Sequence, residues 1–321
     1  MKTIVALLLT CCLAGESSLT SATDLTAVER NTEHASTLSA ARKNFKTQIA
    51  LEHVDAAPAP TPPKGIFLKI AYMSPVGLLA AYLTPAPKDG RRHPAIVWIT
   101  GGDTNSLDDN PWKPNPRTNE QSASAYRNAG IVMMFPSLRG GNDNPKKKEI
   151  FYGETDDVLA AADFLARLPY VDPTRIYLGG HSTGGTLVLL TAEVSDRFRA
   201  VFSFGPVGRI DLYDKNTLIA DFSKYDKNET ILRSPEFWLS SIHSRVFIID
   251  GERQPTNIGS IELMQQQTMN PYVRFLRVKG ADHFTVLAPC NELIAQKILL
   301  DTGPTVNIIL TEQELAALFV P

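Results

Sequence analysis

Five consecutive residues near the middle of the chain, Gly180 to Gly184, have the G-x-S-x-G pattern that places a serine on a sharp turn. An apolar run from Ile176 to Leu178 precedes this pattern, and helical spacing from Gly184 to Glu193 follows it. Small flanking residues are needed because the chain passes close to itself, so Ser182 is a candidate nucleophile toward a carbonyl carbon. The backbone N–H of Thr183 would then point at the developing oxyanion. A glycine-rich turn with an incidental serine is the alternative interpretation.

A serine hydroxyl needs a base, and the chain order in α/β-hydrolases is serine, acid, histidine. His283 fits this order because it follows the last predicted strand, which ends at Val278. The other histidines precede the predicted domain, occupy the variable position of the serine turn, or adjoin the start of a strand: His34, His53, His93, His181 and His243. We therefore predict His283 as the base.

The acid should follow the predicted strand from Val246 to Ile249. Asp250 and Glu252 lie there, and either carboxylate could accept the Nδ1–H of His283 and fix its tautomer. We favour Asp250, with Glu252 as the alternate acid and Asp211, after the preceding strand, as a third possibility.

The second oxyanion donor should lie after the strand from Ala95 to Ile99. The chain reads Thr100-Gly101-Gly102-Asp103 there, and we predict a donor near Gly102, although a plain tight turn is the alternative. A phosphate-binding loop, an H-E-x-x-H helix and a dinucleotide fingerprint are all absent from the sequence, so we predict neither a cofactor nor a metal.

The elements that must position these residues alternate between strand and helix. Apolar runs typical of buried parallel strands cover 95–99, 131–135, 176–178, 200–204, 246–249 and 273–278, and helical spacing covers 155–168, 184–193 and 258–267. This alternation predicts an α/β fold with a mainly parallel, doubly wound sheet. Two runs around Ser74 to Gly77 predict a hairpin at its antiparallel edge. Residues 208–242 are long enough to form a small cap.

The N-terminal region predicts export. Lys2, an apolar run from Ile4 to Leu13 and a small-residue site ending at Ala22 are typical of a secretory signal peptide over residues 1–22. A lipid anchor on Cys11 or Cys12, or a buried N-terminal helix, is the alternative. Residues 23–64 form a polar segment with a Pro-rich linker, and the predicted domain covers 65–321. In the mature chain Cys290 is the remaining cysteine, and we interpret it as a small buried hydrophobe.

Composition disfavours some classes of function. The 321 residues carry 32 Lys and Arg against 34 Asp and Glu, without a basic block, which disfavours a nucleic-acid partner. Apart from the signal region, which is itself too short, no apolar run approaches the length of a membrane span. The sequence shows no tandem repeat and does not indicate an oligomeric state.

Beyond the serine turn, the segment from about Gly65 to Leu300 resembles the catalytic domain of the prolyl oligopeptidase family of α/β-hydrolases. The similar stretches are Pro136–Gly141, which resembles that family's arginine-glycine loop, Asp157–Val158, Asp172–Ile176, Gly180–Gly185, and Gly280–Phe284, which resembles its histidine loop. The resemblance implies a hydrolase of short peptides or acyl-peptides, whereas the chemistry alone equally allows carboxylic esters.

The sequence departs from that family in two ways. The family's acid usually falls three residues after the glycine of its loop, and here Gln254 occupies that position. Glutamine carries no charge to stabilise an imidazolium, so a non-catalytic binding protein on this fold is a further alternative. The segment before the first strand is also too short for the β-propeller of larger members. We predict an exported serine hydrolase that uses Ser182, His283 and Asp250.

Overall fold

The computed structural model describes residues 37–102, 104–213, 221–222 and 226–320. The predicted signal peptide with Cys11 and Cys12, His34, Asp103 and part of the predicted cap lie outside these residues.

The described residues form one large sheet and one short strand pair. The strands are β1 (Ile49–Leu51), β2 (Leu68–Ser74), β3 (Gly77–Leu83), β4 (His93–Ile99), β5 (Val132–Pro136), β6 (Val171–His181), β7 (Ala200–Phe204), β8 (Asp221–Phe222), β9 (Arg245–Arg253) and β10 (Val273–Asp282). The large sheet has the order β10-β9-β7-β6-β4-β5-β3-β2. The neighbouring strands pair in parallel in the part of the sheet formed by β10, β9, β7, β6, β4 and β5. Strand β3 is antiparallel to both of its neighbours, β5 and β2. The predicted α/β class and the antiparallel hairpin at the sheet edge are therefore confirmed.

Helices connect the strands and flank the sheet. They are α1 (Leu38–Arg42), α2 (Ser124–Asn128), α3 (Glu154–Ala166), α4 (Thr183–Val194), α5 (Lys227–Ile231), α6 (Ile258–Gln266), α7 (Leu287–Leu300) and α8 (Glu312–Ala317). The three helices predicted from sequence correspond to α3, α4 and α6.

Side chains on both faces of the sheet are buried, which explains the continuous apolar runs. In β4, Val97 packs into one hydrophobic cluster, while Ile96 and Trp98 pack into the other, on the opposite face. Gly179 lies opposite Trp98 in the sheet, and a Cβ at Gly179 would come within 2.6 Å of the Trp98 ring. The core therefore admits a large aromatic side chain at Trp98 because its neighbour has none.

The segment predicted as polar and Pro-rich packs against the domain from residue 37 onward. Leu38 is buried, and Arg42 forms an ion pair with Asp156 of α3 at 3.0 Å. Strand β1 pairs with β8, so the N-terminal segment also meets the region predicted as a cap. The ion pair of Arg42 and the pairing of β1 with β8 both cross the predicted boundary between residues 64 and 65. The boundary itself stays a prediction.

Candidate active site

The candidate residues meet where four neighbouring parallel strands end. Strands β6, β7, β9 and β10 lie side by side, and their carboxyl ends reach the same edge of the sheet. Ser182 follows β6, Asp250 lies in the buried part of β9, and His283 follows β10. Ligands of open α/β sheets bind at this edge, so the topology itself brings together residues far apart in sequence.

Ser182 occupies a strained turn between β6 and α4. Its φ of 57° and ψ of −117° lie outside the ordinary regions for a residue with a side chain, which costs on the order of 1–3 kcal/mol. The turn is held by two hydrogen bonds: the Ser182 N–H donates to the Phe204 carbonyl at 2.8 Å, and the Thr186 N–H donates to the Ser182 carbonyl at 3.0 Å. A Cβ at Gly180 would lie 2.6 Å from the Gly184 oxygen, so the pattern needs glycine there.

His283 is paired with a buried carboxylate. Its Nδ1 lies 3.3 Å from Oδ1 of Asp250, which has no exposed surface. The other oxygen of Asp250 accepts hydrogen bonds from the Asn257 N–H at 2.7 Å and the Thr256 hydroxyl at 3.2 Å. The N–H of His283 donates to the Pro255 carbonyl at 2.8 Å. The segment from Pro255 to Asn257 thus holds both the Asp250 carboxylate and the His283 backbone.

The other candidate acids have different surroundings. Glu252 and Gln254 are exposed, and Asp211 is half-exposed and forms an ion pair with Arg209 at 2.6 Å. The structure therefore brings Asp250 to His283, whereas the family spacing would assign the role of the acid to Gln254. Asp250 lies within β9, which runs on to Arg253.

The glycine loop after β4 lies against Ser182. A Cβ at Gly101 would come within 3.1 Å of the Ser182 Cβ and 3.0 Å of the His181 carbonyl oxygen. Gly102 has a φ of 94°, a conformation that favours glycine. The loop that contains Gly102 therefore lies beside the serine turn, and Gly102 and Thr183 stay the predicted oxyanion donors.

The arginine-glycine motif supports this loop. The Leu138 N–H donates to the Asn105 carbonyl at 2.8 Å, and the Asn105 amide donates to the Arg139 carbonyl at 2.7 Å. A Cβ at Gly141 would overlap the Asn105 backbone, so glycine is required for the approach. The motif thus fixes the loop beside the serine.

Arg139 itself holds a buried ion pair. Its guanidinium donates to both oxygens of Asp157, at 2.9 and 3.0 Å, and Ser74 donates to the same carboxylate at 2.5 Å. Burial alone would lower the pKa of Arg139, but the hydrogen bonds and charge of Asp157 outweigh burial and raise it. Arg175, from the Asp172–Ile176 stretch, donates to the Ile298 carbonyl of α7 at 2.7 Å. These residues therefore hold elements in place rather than line the site.

Two residues of the site were missed by the sequence patterns. Gly205 follows β7 with a φ of 54°, and a Cβ there would overlap the imidazole of His283. The dipeptide Gly205-Pro206 directly after a predicted strand was the available signal. His181, treated in the sequence as the variable residue of the turn, is buried and contacts the His283 backbone.

Cys290 is fully buried in α7, as interpreted from the sequence, and burial raises the pKa of its thiol. A protonated buried thiol is a poor nucleophile. Among the described residues, no three His, Cys, Asp or Glu side chains cluster as metal ligands would, and no helix is long and apolar enough to cross a membrane.

Part of this chain matches a known protein family. Residues 117–246 match the prolyl oligopeptidase family. The chain is 28% identical over 155 residues to a prolyl endopeptidase of Elizabethkingia meningoseptica, a match that covers 45% of this chain and 20% of that relative. The chain thus spans about a fifth of the curated relative's length.

Solved structures share the fold at low identity. A puromycin-hydrolyzing peptidase of Mycobacterium tuberculosis aligns with a TM-score of 0.59 at 18% identity, over 77% of this chain and 42% of that one. A hyperthermophilic esterase of Pyrobaculum calidifontis aligns with a TM-score of 0.52 at 18% identity, over 86% of this chain and 92% of that one. The resemblance that the sequence motifs indicate is therefore confirmed: this is an α/β-hydrolase fold whose residues 117–246 match the prolyl oligopeptidase family.

Proposed function

We propose that the protein is a serine hydrolase in which Ser182 is the nucleophile, His283 the general base and Asp250 the orienting acid. The observation that carries this proposal is the Asp250–His283 hydrogen bond at the same sheet edge as a serine on a strained turn. The match of residues 117–246 to the prolyl oligopeptidase family supports it, and this match includes Ser182.

In the acylation step, Oγ of Ser182 attacks the carbonyl carbon of the substrate and its proton passes to Nε2 of His283. Asp250 accepts from Nδ1, which fixes the tautomer and stabilises the positive charge that His283 gains. Backbone N–H groups near Gly102 and Thr183 stabilise the oxyanion. The intermediate collapses when His283 returns the proton to the leaving amine or alcohol, leaving an acyl group on Ser182.

In the deacylation step, water replaces the leaving group. His283 takes a proton from the water, the hydroxide attacks the acyl carbonyl, and the second tetrahedral intermediate releases the carboxylic acid. His283 then returns the proton to Ser182, so the enzyme is regenerated without any cofactor taking part in the proposed cycle.

The proposed substrates are short peptides or acyl-peptides. The support comes from the family match and from the prolyl endopeptidase relative. A carboxylic ester hydrolase is the second candidate, because the Pyrobaculum esterase aligns over nearly its whole length. We also propose export of the protein, on the basis of Lys2 and the apolar run that follows it.

Active-site labelling tests the nucleophile. A fluorophosphonate probe should label the wild-type protein and the Ser240→Ala variant, because Ser240 is exposed and outside the site, but should not label Ser182→Ala. Labelling that persists in Ser182→Ala would remove Ser182 from the mechanism. A wild-type protein that is folded yet neither labelled nor active would favour the non-catalytic alternative.

A substrate panel separates peptidase from esterase. Aminoacyl and acyl-peptide arylamides should be cleaved alongside p-nitrophenyl esters if the protein is a peptidase. Activity confined to the esters would support the second candidate, since activated esters need less transition-state stabilisation.

N-terminal sequencing tests the proposed export. Protein recovered outside the cytoplasm should have Thr23 as its first residue if cleavage follows Ala22, and a lipid-modified Cys11 or Cys12 would indicate the anchored alternative.

A further inference from the structure

The residue before the nucleophile contacts the loop of the base. His181 is the last residue of β6 and only 1% exposed. Its Nε2 lies 3.0 Å from the backbone carbonyl oxygen of His283. A carbonyl oxygen can only accept, so Nε2 of His181 carries the proton and donates.

This hydrogen bond completes the support of the His283 backbone. The N–H of His283 donates to the Pro255 carbonyl at 2.8 Å, and its carbonyl accepts from His181. The side chain is held separately, through the contact of Nδ1 with Asp250. Both polar groups of the His283 peptide backbone therefore have a fixed partner, and one partner belongs to the serine turn.

Packing around His181 extends this link. Its ring centroid lies 4.5 Å from that of His283, and the Phe284 ring packs edge-on at 5.7 Å from His181 and 5.0 Å from His283. On the other side, Nδ1 of His181, which carries no proton in this tautomer, lies 3.1 Å from Oε1 of Gln121, so the Gln121 amide must turn its NH2 group toward Nδ1 to donate to it. A Cβ at Gly101 would be 3.2 Å from the same nitrogen, so His181 also contacts the glycine loop.

The surroundings of His181 favour its neutral form. Burial and the neighbouring His283 together lower the pKa of His181 well below its ordinary value, although the His283 carbonyl opposes this effect. A neutral His181 adds no positive charge beside His283 when His283 takes the proton of the serine. A second imidazolium at this distance would oppose that step.

We propose that His181 is a positioning residue, whose Nε2–H fixes the His283 loop relative to the serine turn and the glycine loop. This inference rests on the proposed function, because it assigns a role toward the proposed base. The role predicts that turnover depends on a donor at the position of Nε2 and not on the imidazole as such.

Three variants test the donor. The amide nitrogen of His181→Gln can take the place of Nε2, that of His181→Asn takes the place of Nδ1, and His181→Leu supplies no donor. We expect His181→Gln to keep kcat within about fivefold, and the other two to lose roughly 10- to 100-fold in kcat while KM stays within about twofold. Thermal unfolding of all three, compared with wild type, monitors folding.

Equal losses of kcat in His181→Gln and His181→Asn, or wild-type kcat in all three variants, would overturn the proposal. A loss that follows the unfolding temperature instead of the donor would likewise assign His181 a purely structural role. Failure of the proposed function is distinguishable, because in that case the wild-type protein itself would show no hydrolysis and no fluorophosphonate labelling.

Discussion

The Oδ1 atom of Asp250 lies 3.3 Å from Nδ1 of His283, and the two residues extend from neighbouring parallel strands. The carboxylate is fully buried and also accepts the Asn257 N–H, so it cannot turn away without losing hydrogen bonds that water would not replace at a buried group. This arrangement commits one ring nitrogen of His283 to Asp250 and leaves Nε2 for proton transfer.

Replacing each carboxylate in turn should show whether Asp250 or Glu252 is the acid. We expect Asp250→Asn to remain folded but to lose roughly 10⁴-fold in turnover, because an amide can stabilise the wrong tautomer and carries no charge. The matched variant Glu252→Gln should stay within about tenfold, since this carboxylate is exposed. Both should be assayed with one substrate over the same range of pH. Large losses in Glu252→Gln alone would make Glu252 the acid.

Adding one methyl group beside His283 should impair turnover. A Cβ in Gly205→Ala would overlap the His283 ring, so the imidazole must move, and we expect kcat to fall at least a hundredfold. The left-handed φ of 54° adds about 1–2 kcal/mol of strain, measurable by urea unfolding. Gly259→Ala is the control, because nothing lies within 4 Å of a Cβ there in α6. Wild-type kcat in Gly205→Ala would contradict the packing described around His283.

Removing the buried arginine should destabilise the fold. Arg139→Met leaves the carboxylate of Asp157 without its charge partner, which should lower the free energy of unfolding by about 3–5 kcal/mol. Lys113→Ala removes a partner from an exposed pair with Asp109 and should change it by less than about 1 kcal/mol. Chemical denaturation measures both. Equal effects of the two variants would show that the Arg139 pair contributes no more than a surface contact.

Glu193 should make stability depend on pH. It is 2% exposed, neither carboxyl oxygen has a hydrogen-bond partner among the described residues, and burial raises its pKa well above 4.5. The folded protein therefore keeps a proton that the unfolded chain releases above about pH 4.5. In the window between 4.5 and the folded pKa, the unfolded chain binds fewer protons, so the free energy of unfolding falls as pH rises.

The variant Glu193→Gln removes this proton linkage. We expect it to be more stable than wild type at pH 8, with the difference shrinking as the pH is lowered toward 4.5. The half-exposed Glu262→Gln serves as the control and should show no such trend. Urea unfolding at several pH values measures the difference, and a constant offset between Glu193→Gln and wild type would contradict the linkage.

The sequence predicted those parts of the fold that depend on local pattern. Buried parallel strands have apolar runs, and Ser182 is marked by the glycines that its turn requires. Helix α7, shortly after His283, was not predicted, because no side chain caps its N-terminus and marks where it begins. The packing of residues from Leu38 onward was also missed, since it depends on contacts with Ser241 and Glu229, far along the chain.

The surroundings of His283 also could not be predicted from local sequence. Asp250, Glu252 and Asp211 each follow a predicted strand, and what distinguishes them is the course of β9 and the burial that results. The contact of His181 with His283 crosses 102 residues and has no local signature. Tertiary arrangement, rather than residue type, therefore decides which polar groups meet at this edge of the sheet.

The placement of the serine turn and the histidine loop on β6 and β10 also sets the order in which the site is completed during translation. With 102 residues between His181 and His283, the turn leaves the ribosome roughly 5–20 s before the imidazole at ordinary synthesis rates. During that interval a nascent chain contains the proposed nucleophile without its proposed base. If the proposed mechanism holds, a half-made chain is therefore inert toward the proteins and esters around it.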